Sequence, residues 1–293
     1  MTRPRSHGCR CGRSRRAALF VLLIGISSGA RAQTGPLSNG AGGDTSDTTA
    51  AARSARTPWF TRRDVIFFGG ALGATALLAP LDRPISAEFG EPHWARSRRV
   101  HHLAGDVAFF GGDGPFVVSM VLAGTDAGDL PGVRSFAIHG MESVALATVI
   151  AGIGKGVAGR ALPGVTTRHP FEFGRGFHDG NGPFVSFPSG HTAAAFAMAT
   201  TVSAEVARAD SSRARLVSAI AFSAATAVGV ARVVQRVHWP SDLPLAAVIG
   251  VWSGETIQRR SGSGVAGALF RGIAVGAGPR REMEVGWSSS TAR

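Results

Sequence analysis

Six apolar segments of helix length follow one another through this chain, at residues 65–81, 107–123, 136–153, 189–207, 214–234 and 242–257. Each is longer than an ordinary strand, and Ala, Leu, Val and Ile fill them. Polar turns separate them. A chain so patterned is expected to be all-α, a bundle of about six helices joined end to end. How far the bundle enters a bilayer is less constrained. Segment 65–81 has the length and apolarity of a span. Asp106, Asp113, His139 and Glu142 lie in or beside the next two segments. A charge within a span is costly, so those segments read as poor spans and the bundle as incompletely embedded.

The flanks divide the chain. The formal net charge is +12, but seven arginines and no Asp or Glu lie in residues 1–32, and without them the charge is +5. Outside that segment the basic residues form no long run, so a nucleic-acid partner is not expected. Residues 1–16 are basic, 17–26 are apolar, and Ala30, Arg31 and Ala32 form a small-residue cleavage pattern. Basic, apolar, small is the order of a secretory signal, so 1–32 is read as a signal peptide. Both cysteines, Cys9 and Cys11, fall within it. The remainder then has no disulfide and no thiolate metal site. Residues 33–63 are rich in small and polar types and read as a flexible linker. The helical domain is expected over 64–260, with 82–103 as a basic connection. In the tail, 261–293, two short alternating stretches at 273–275 and 283–287 suggest a hairpin.

Three places in the helical domain carry chemistry. All basic residues besides His are arginine except one, Lys155, near the C-terminal end of the third segment. Pro188, Ser189, Gly190 and His191 open the fourth segment. Ser at an N-cap, with Gly behind it, leaves free N–H groups and a positive dipole end for an anion. His191 in that first turn could deliver a proton. Arg232 closes the fifth segment, and His238 and Asp242 lie in the turn to the sixth. Asp242 can hold one ring N–H of His238 and leave the other nitrogen nucleophilic. In an up-and-down bundle these four segment ends meet at one bundle end. Two cations, a helix N-terminus and two histidines without a metal-ligand cluster describe a site for a phosphate-like oxyanion.

The three places, in order and spacing, resemble the type 2 phosphatidic acid phosphatase and vanadium haloperoxidase superfamily. Its signature is K-x6-R-P, P-S-G-H and S-R-x5-H-x3-D. Here the blocks read Lys155 to Leu162 and Pro163, then Pro188 to His191, then Ala231, Arg232, His238 and Asp242, within residues 155–242. The resemblance implies that His238 attacks phosphorus, that Asp242 orients it, and that His191 protonates the leaving alkoxide. It implies that Lys155, Ser189, Gly190 and Arg232 hold the phosphate oxygens, and that no metal or other cofactor is needed. Two positions depart: Leu162 stands where the family has Arg, and Ala231 where it has Ser. Arg160, Arg168 and Arg175 are near enough in sequence to supply the missing donor, and Arg160 is taken as the candidate.

Three functions fit these residues. An exported phosphomonoesterase acting on lipid phosphates or small soluble esters is expected first. A vanadate-bearing haloperoxidase would use the same pocket, and a non-catalytic phosphate-binding envelope protein would explain Leu162. No protein partner can be inferred. The enzyme is expected in the cell envelope, periplasmic or membrane-attached, with its site facing outward. One conflict accompanies that expectation. With the signal removed, three crossings before Lys155 would turn the site inward.

Overall fold

The computed structural model describes residues 60–90, 97–124, 132–164, 169–174 and 182–260. The expected signal peptide, nearly all of the linker, the hairpin of the tail, Arg168 and Arg175 lie outside the described residues. Among the described residues the chain is helical, without strands. It forms six helical units: α1 (Arg62–Phe89), α2 (Arg98–Ala123), α3 (Val133–Ala158), α4 (Gly190–Ala209), α5 (Ser211–Val234) and α6 (Leu243–Arg260).

Local chemistry sets the helix ends. Thr61 caps α1 reciprocally with Asp64: Thr61 Oγ1 accepts from the Asp64 N–H at 3.2 Å, and Asp64 Oδ2 accepts from the Thr61 N–H at 2.8 Å. Gly132 and Gly159 bracket α3 at φ 84° and 54°, a left-handed conformation that glycine adopts without a Cβ penalty. Asp210 caps α5 by accepting from the Ser212 N–H at 2.9 Å.

The core is built on α4. Its residues 192–201 are all buried, so the first half of this helix is enclosed all round rather than amphipathic. Ala193, Ala194 and Ala197 meet Ala147 and Ala151 of α3 and Ala246 and Ile249 of α6. Small side chains let the backbones come close. At Gly250 an added Cβ would lie 2.3 Å from the Ala193 carbonyl oxygen, so this contact admits only glycine.

Two expectations change. The basic connection 82–103 is largely helical: α1 continues to Phe89 through a 3-10 turn at Ala79–Leu81, and α2 begins at Arg98. The spans discounted for their charges are also better than they read. Arg62–Phe89, Arg98–Ala123, Val133–Ala158 and Ser211–Val234 are each long and apolar enough to cross a membrane. Asp64, Asp82 and Glu142 are buried inside the bundle, and His139 pairs inward with Glu205 at 2.5 Å. The outward faces carry Ile66, Leu72, Val118, Val149, Leu216 and Ile220 instead. Apolar side chains outside and polar ones inside are the pattern lipid demands, and α1, α3 and α5 follow it, while in α2 Asp106 and Asp113 stay exposed.

Candidate functional site

The connections between helices bring the three sequence blocks together. After α3 the chain lies beside residues 183–186: the Leu162 N–H donates to the Pro183 carbonyl at 2.8 Å, and the Ser186 N–H donates to the Arg160 carbonyl at 2.9 Å. Trp239 Nε1 donates to the Ala161 carbonyl at 2.8 Å, which ties the third block to the first. Lys155 Nζ donates to the Val185 carbonyl at 2.6 Å. The Lys155 stem passes over Gly190, where an added Cβ would be 3.7 Å from its Cε.

Ser189 is the N-cap of α4. Its Oγ accepts from the Thr192 hydroxyl at 2.8 Å and from the Thr192 N–H at 3.4 Å, and its own N–H reaches the Asp242 carbonyl at 3.4 Å. The first N–H groups of α4 therefore start at the site, where a helix end favours an anion. Arg232, in the last turn of α5, donates from Nη1 to Gln235 Oε1 at 2.8 Å. Its Nε is buried and makes no hydrogen bond. A buried donor without a partner is costly unless a ligand completes it.

His238 and Asp242 are fully enclosed. His238 Nδ1 stands 3.4 Å from Asp242 Oδ2. The same oxygen accepts from the Ser186 hydroxyl at 2.5 Å and the Trp239 N–H at 2.8 Å. Burial pulls the His238 pKa below the ordinary imidazole value; Asp242 opposes this, while Lys155 and Arg232 add to it. Burial pushes the Asp242 carboxyl up, but the hydrogen bond from His238 and the charge of Arg160 outweigh it, so the group is held below the usual carboxylate range. His191 is lowered by burial and by Arg232, against the opposing pull of Asp113.

Arg160 stands elsewhere than the sequence expectation put it. It is 2% exposed, and four of its five N–H donors are used within the protein. Nη1 donates to Asp242 Oδ1 at 2.5 Å and Ser241 Oγ at 2.8 Å, Nη2 to Asp82 Oδ2 at 2.6 Å, and Nε to the Pro170 carbonyl at 2.9 Å. The physical reason is charge: Asp82 and Asp242 are both buried, and a planar guanidinium can bridge the two. Leu162 remains partly buried beside Pro163.

The structure also adds residues that sequence reasoning missed. Asp82 accepts from the Ser241 N–H at 2.9 Å and the Ser241 hydroxyl at 2.5 Å, fixing the turn that carries Asp242. Ser186 holds Asp242 from the other side. Asp113 Oδ2 lies 3.2 Å from His191 Nε2. The available signals were faint: Asp82 ends an apolar run, and Asp113 follows two glycines inside one. Among the described residues, no three His, Cys, Asp or Glu side chains come together as a metal-binding group. What the arrangement offers is a cluster of a fixed imidazole, a second imidazole, two cations and a helix N-terminus, which suits a tetrahedral oxyanion.

Residues 137–257 match the family model of the PAP2 superfamily. A lipid A 1-phosphatase from Porphyromonas gingivalis is 37% identical over 94 residues, which is 32% of this chain and 20% of that protein. The chain thus matches only a fifth of that relative's length. The crystal structure of a transmembrane PAP2-type phosphatidylglycerolphosphate phosphatase from Bacillus subtilis superposes with a TM-score of 0.51 at 16% identity, covering 68% of this chain and 95% of the other. That likeness is one of fold.

Proposed function

We propose that this chain, whose residues 137–257 match the PAP2 superfamily model, belongs to that family and is a membrane-associated phosphomonoesterase acting through a phosphohistidine. The observation that carries this reading is the meeting of His238, its Asp242 partner, His191, Lys155, Arg232 and the α4 N-terminus at one bundle end. Asp242 takes the Nδ1–H of His238, leaving the Nε2 lone pair to attack phosphorus. As the nitrogen–phosphorus bond forms, the bond to the leaving oxygen breaks, and His191 gives that oxygen a proton. His191 then takes a proton from water, whose oxygen displaces His238 and releases phosphate. Lys155, the open Arg232 Nε, and the Ser189 and Gly190 end of α4 hold the charge that develops on the equatorial oxygens. No step calls for a metal, so a chelator should leave the rate unchanged.

A lipid phosphate is the substrate class we favour. The names of the two matched proteins both refer to lipid phosphates, and apolar residues cover the outward faces of α1, α2, α3 and α5. The test is phosphate release by the detergent-solubilised protein from phosphatidate vesicles and from p-nitrophenyl phosphate. We expect release from both, faster from the lipid, and none from His238→Ala. No release from either by the wild-type protein would refute the reading.

The helix ends also bear on orientation. Arg63 pairs with Glu255 and Arg259 with Asp64, so α1 starts beside the end of α6, while Asp82, further along α1, reaches Ser241 at the site. Eighteen residues of helix separate Asp64 from Asp82, about 27 Å. The start of α1 and the site are thus on opposite ends of the bundle. If α1 crosses a bilayer, removal of residues 1–32 and an outward-facing site exclude one another, because an exported residue 33 would leave Arg62 outside and the site inside. Among the described residues the end away from the site carries eight arginines, at 62, 63, 134, 208, 213, 215, 259 and 260, against four at the site end that lie outside the site cluster, at 83, 98, 99 and 236. Positive charge favours the cytoplasmic side. The favoured orientation is therefore Arg62 inside and the site outside, with 17–26 uncleaved. Cysteines placed at 62 and at 164 should then label from opposite sides of spheroplasts. Labelling from the same side would refute it.

A further inference from the structure

A π-helical turn in α2, Phe109–Asp113, ends on a carboxylate that the mechanism above leaves unused. Single π turns inside α-helices are frequent at functional sites. Two glycines let this one press against the site. An added Cβ at Gly112 would meet His191 Cδ2 at 3.1 Å, and one at Gly111 would meet Val228 Cγ2 at 2.3 Å. The next residue, Asp113, then reaches the ring edge, with Oδ2 3.2 Å from His191 Nε2. It approaches from the open side: its side chain is 55% exposed, against 30% for His191. The charged and titratable groups that act on His191 are Arg232 from α5, Asp113 from α2, His238 from the turn before α6, and Lys155 from α3. Of these, Asp113 alone favours the protonated ring.

We infer that Asp113 is the positioning residue of the proton donor, and that its charge marks the leaving-group side of the site. The inference rests on the phosphohistidine reading. In the free enzyme Asp113 accepts from His191 Nε2–H and favours the charged ring against burial and Arg232. In turnover the leaving oxygen takes the place of Asp113 at that proton and receives it as its bond to phosphorus breaks. Water later returns a proton to Nε2, and Asp113 closes on it again. A fixed negative charge beside the leaving group opposes a leaving group that is itself a phosphate. It accepts hydrogen bonds from an uncharged one that carries hydroxyls. The substrate class that fits is a phosphomonoester of a neutral alcohol or sugar, in preference to a diphosphate.

The test compares full-length wild-type protein with Asp113→Asn in detergent, using p-nitrophenyl phosphate and inorganic pyrophosphate. Activity needs His191 protonated, so kcat/KM falls as pH rises through the pKa of that group in the free enzyme. Loss of the carboxylate should move this alkaline limb to lower pH by about 0.5–1 unit, a modest shift because Asp113 is half in water. The ratio of kcat/KM for pyrophosphate to that for the monoester should rise about 3–10-fold. Asp113→Glu should restore both. Gly112→Ala separates the pair from the other side and should move the limb the same way. An unmoved limb in either variant, with an intact melting transition, overturns the proposal. If wild-type protein turns over neither compound, the phosphatase reading is what fails. The pair is then read from the NMR titration of the His191 ring, whose midpoint must still drop in Asp113→Asn; an unchanged midpoint overturns the proposal there too.

Discussion

Replacing Arg160 by Met should unfold the site before it weakens phosphate binding. Arg160 is the cation between two carboxylates that are both 0% exposed, Asp82 and Asp242. Met keeps much of the volume and removes the charge and four hydrogen bonds. Breaking a buried ion pair from one side costs about 3–5 kcal/mol, because the charges left behind lose their partner while still desolvated. Here two are left behind, so the upper end applies. For a domain of this size each kcal/mol is worth about 2–4 °C, so the melting temperature should fall by roughly 10–20 °C. Arg160→Lys should recover only part, since a point charge cannot span both carboxylates. Asp82→Asn in the Met background should recover about 1–3 kcal/mol, the coupling expected of residues in one network. Melting in detergent, followed by near-UV circular dichroism, measures all four proteins. In the fraction that folds, kcat should fall more than KM rises, because Asp242 loses an anchor. An unchanged melting temperature with a KM raised tenfold and an intact kcat would refute this reasoning. It would put Arg160 on the phosphate.

Other outcomes follow from the same geometry. Leu162→Arg should raise kcat/KM about 10–100-fold, the worth of one charge-assisted donor of about 1.5–3 kcal/mol, because Arg160 has no free reach to replace it; no gain would show that another residue already does. Asp242→Asn should lower kcat by up to about 10⁴, as for other histidine–carboxylate pairs, and an unchanged rate would reduce Asp242 to a turn-forming residue. Burial holds His238 below the ordinary imidazole value, so the nucleophile stays unprotonated and the acidic limb of kcat/KM should lie below pH 6.5. Since Asp242 opposes that shift, Asp242→Asn should move the limb lower still; a limb moving upward would contradict the cause assigned.

What could be read from the sequence was what repeats along it. Segment lengths located α3 to α6 within a few residues, and the segment ends at Lys155, Ser189, Arg232 and Asp242 pointed to one bundle end. Contacts made only in three dimensions were not readable. Arg160 lies two residues from the gap at Leu162, and that nearness suggested a phosphate donor. Its actual partners are 78 and 82 residues away. Asp82 and Asp113 stand outside the three blocks and gain their meaning from Ser241 and His191. Glu142 counted against a span because a linear reading cannot tell which face of a helix a charge is on; it is buried in the bundle. The basic stretch 82–103 read as a connection because its charges masked the helical turns that end α1 and begin α2.

The central claim is that phosphate passes through His238. Rapid acid-free quenching of the solubilised protein with radiolabelled phosphatidate, followed by peptide mapping, tests it directly. The account predicts label on the peptide containing His238, stable to base and lost in acid, as a phosphoramidate is. It predicts none in His238→Ala. Label on another residue, or steady phosphate release by His238→Ala, would contradict it.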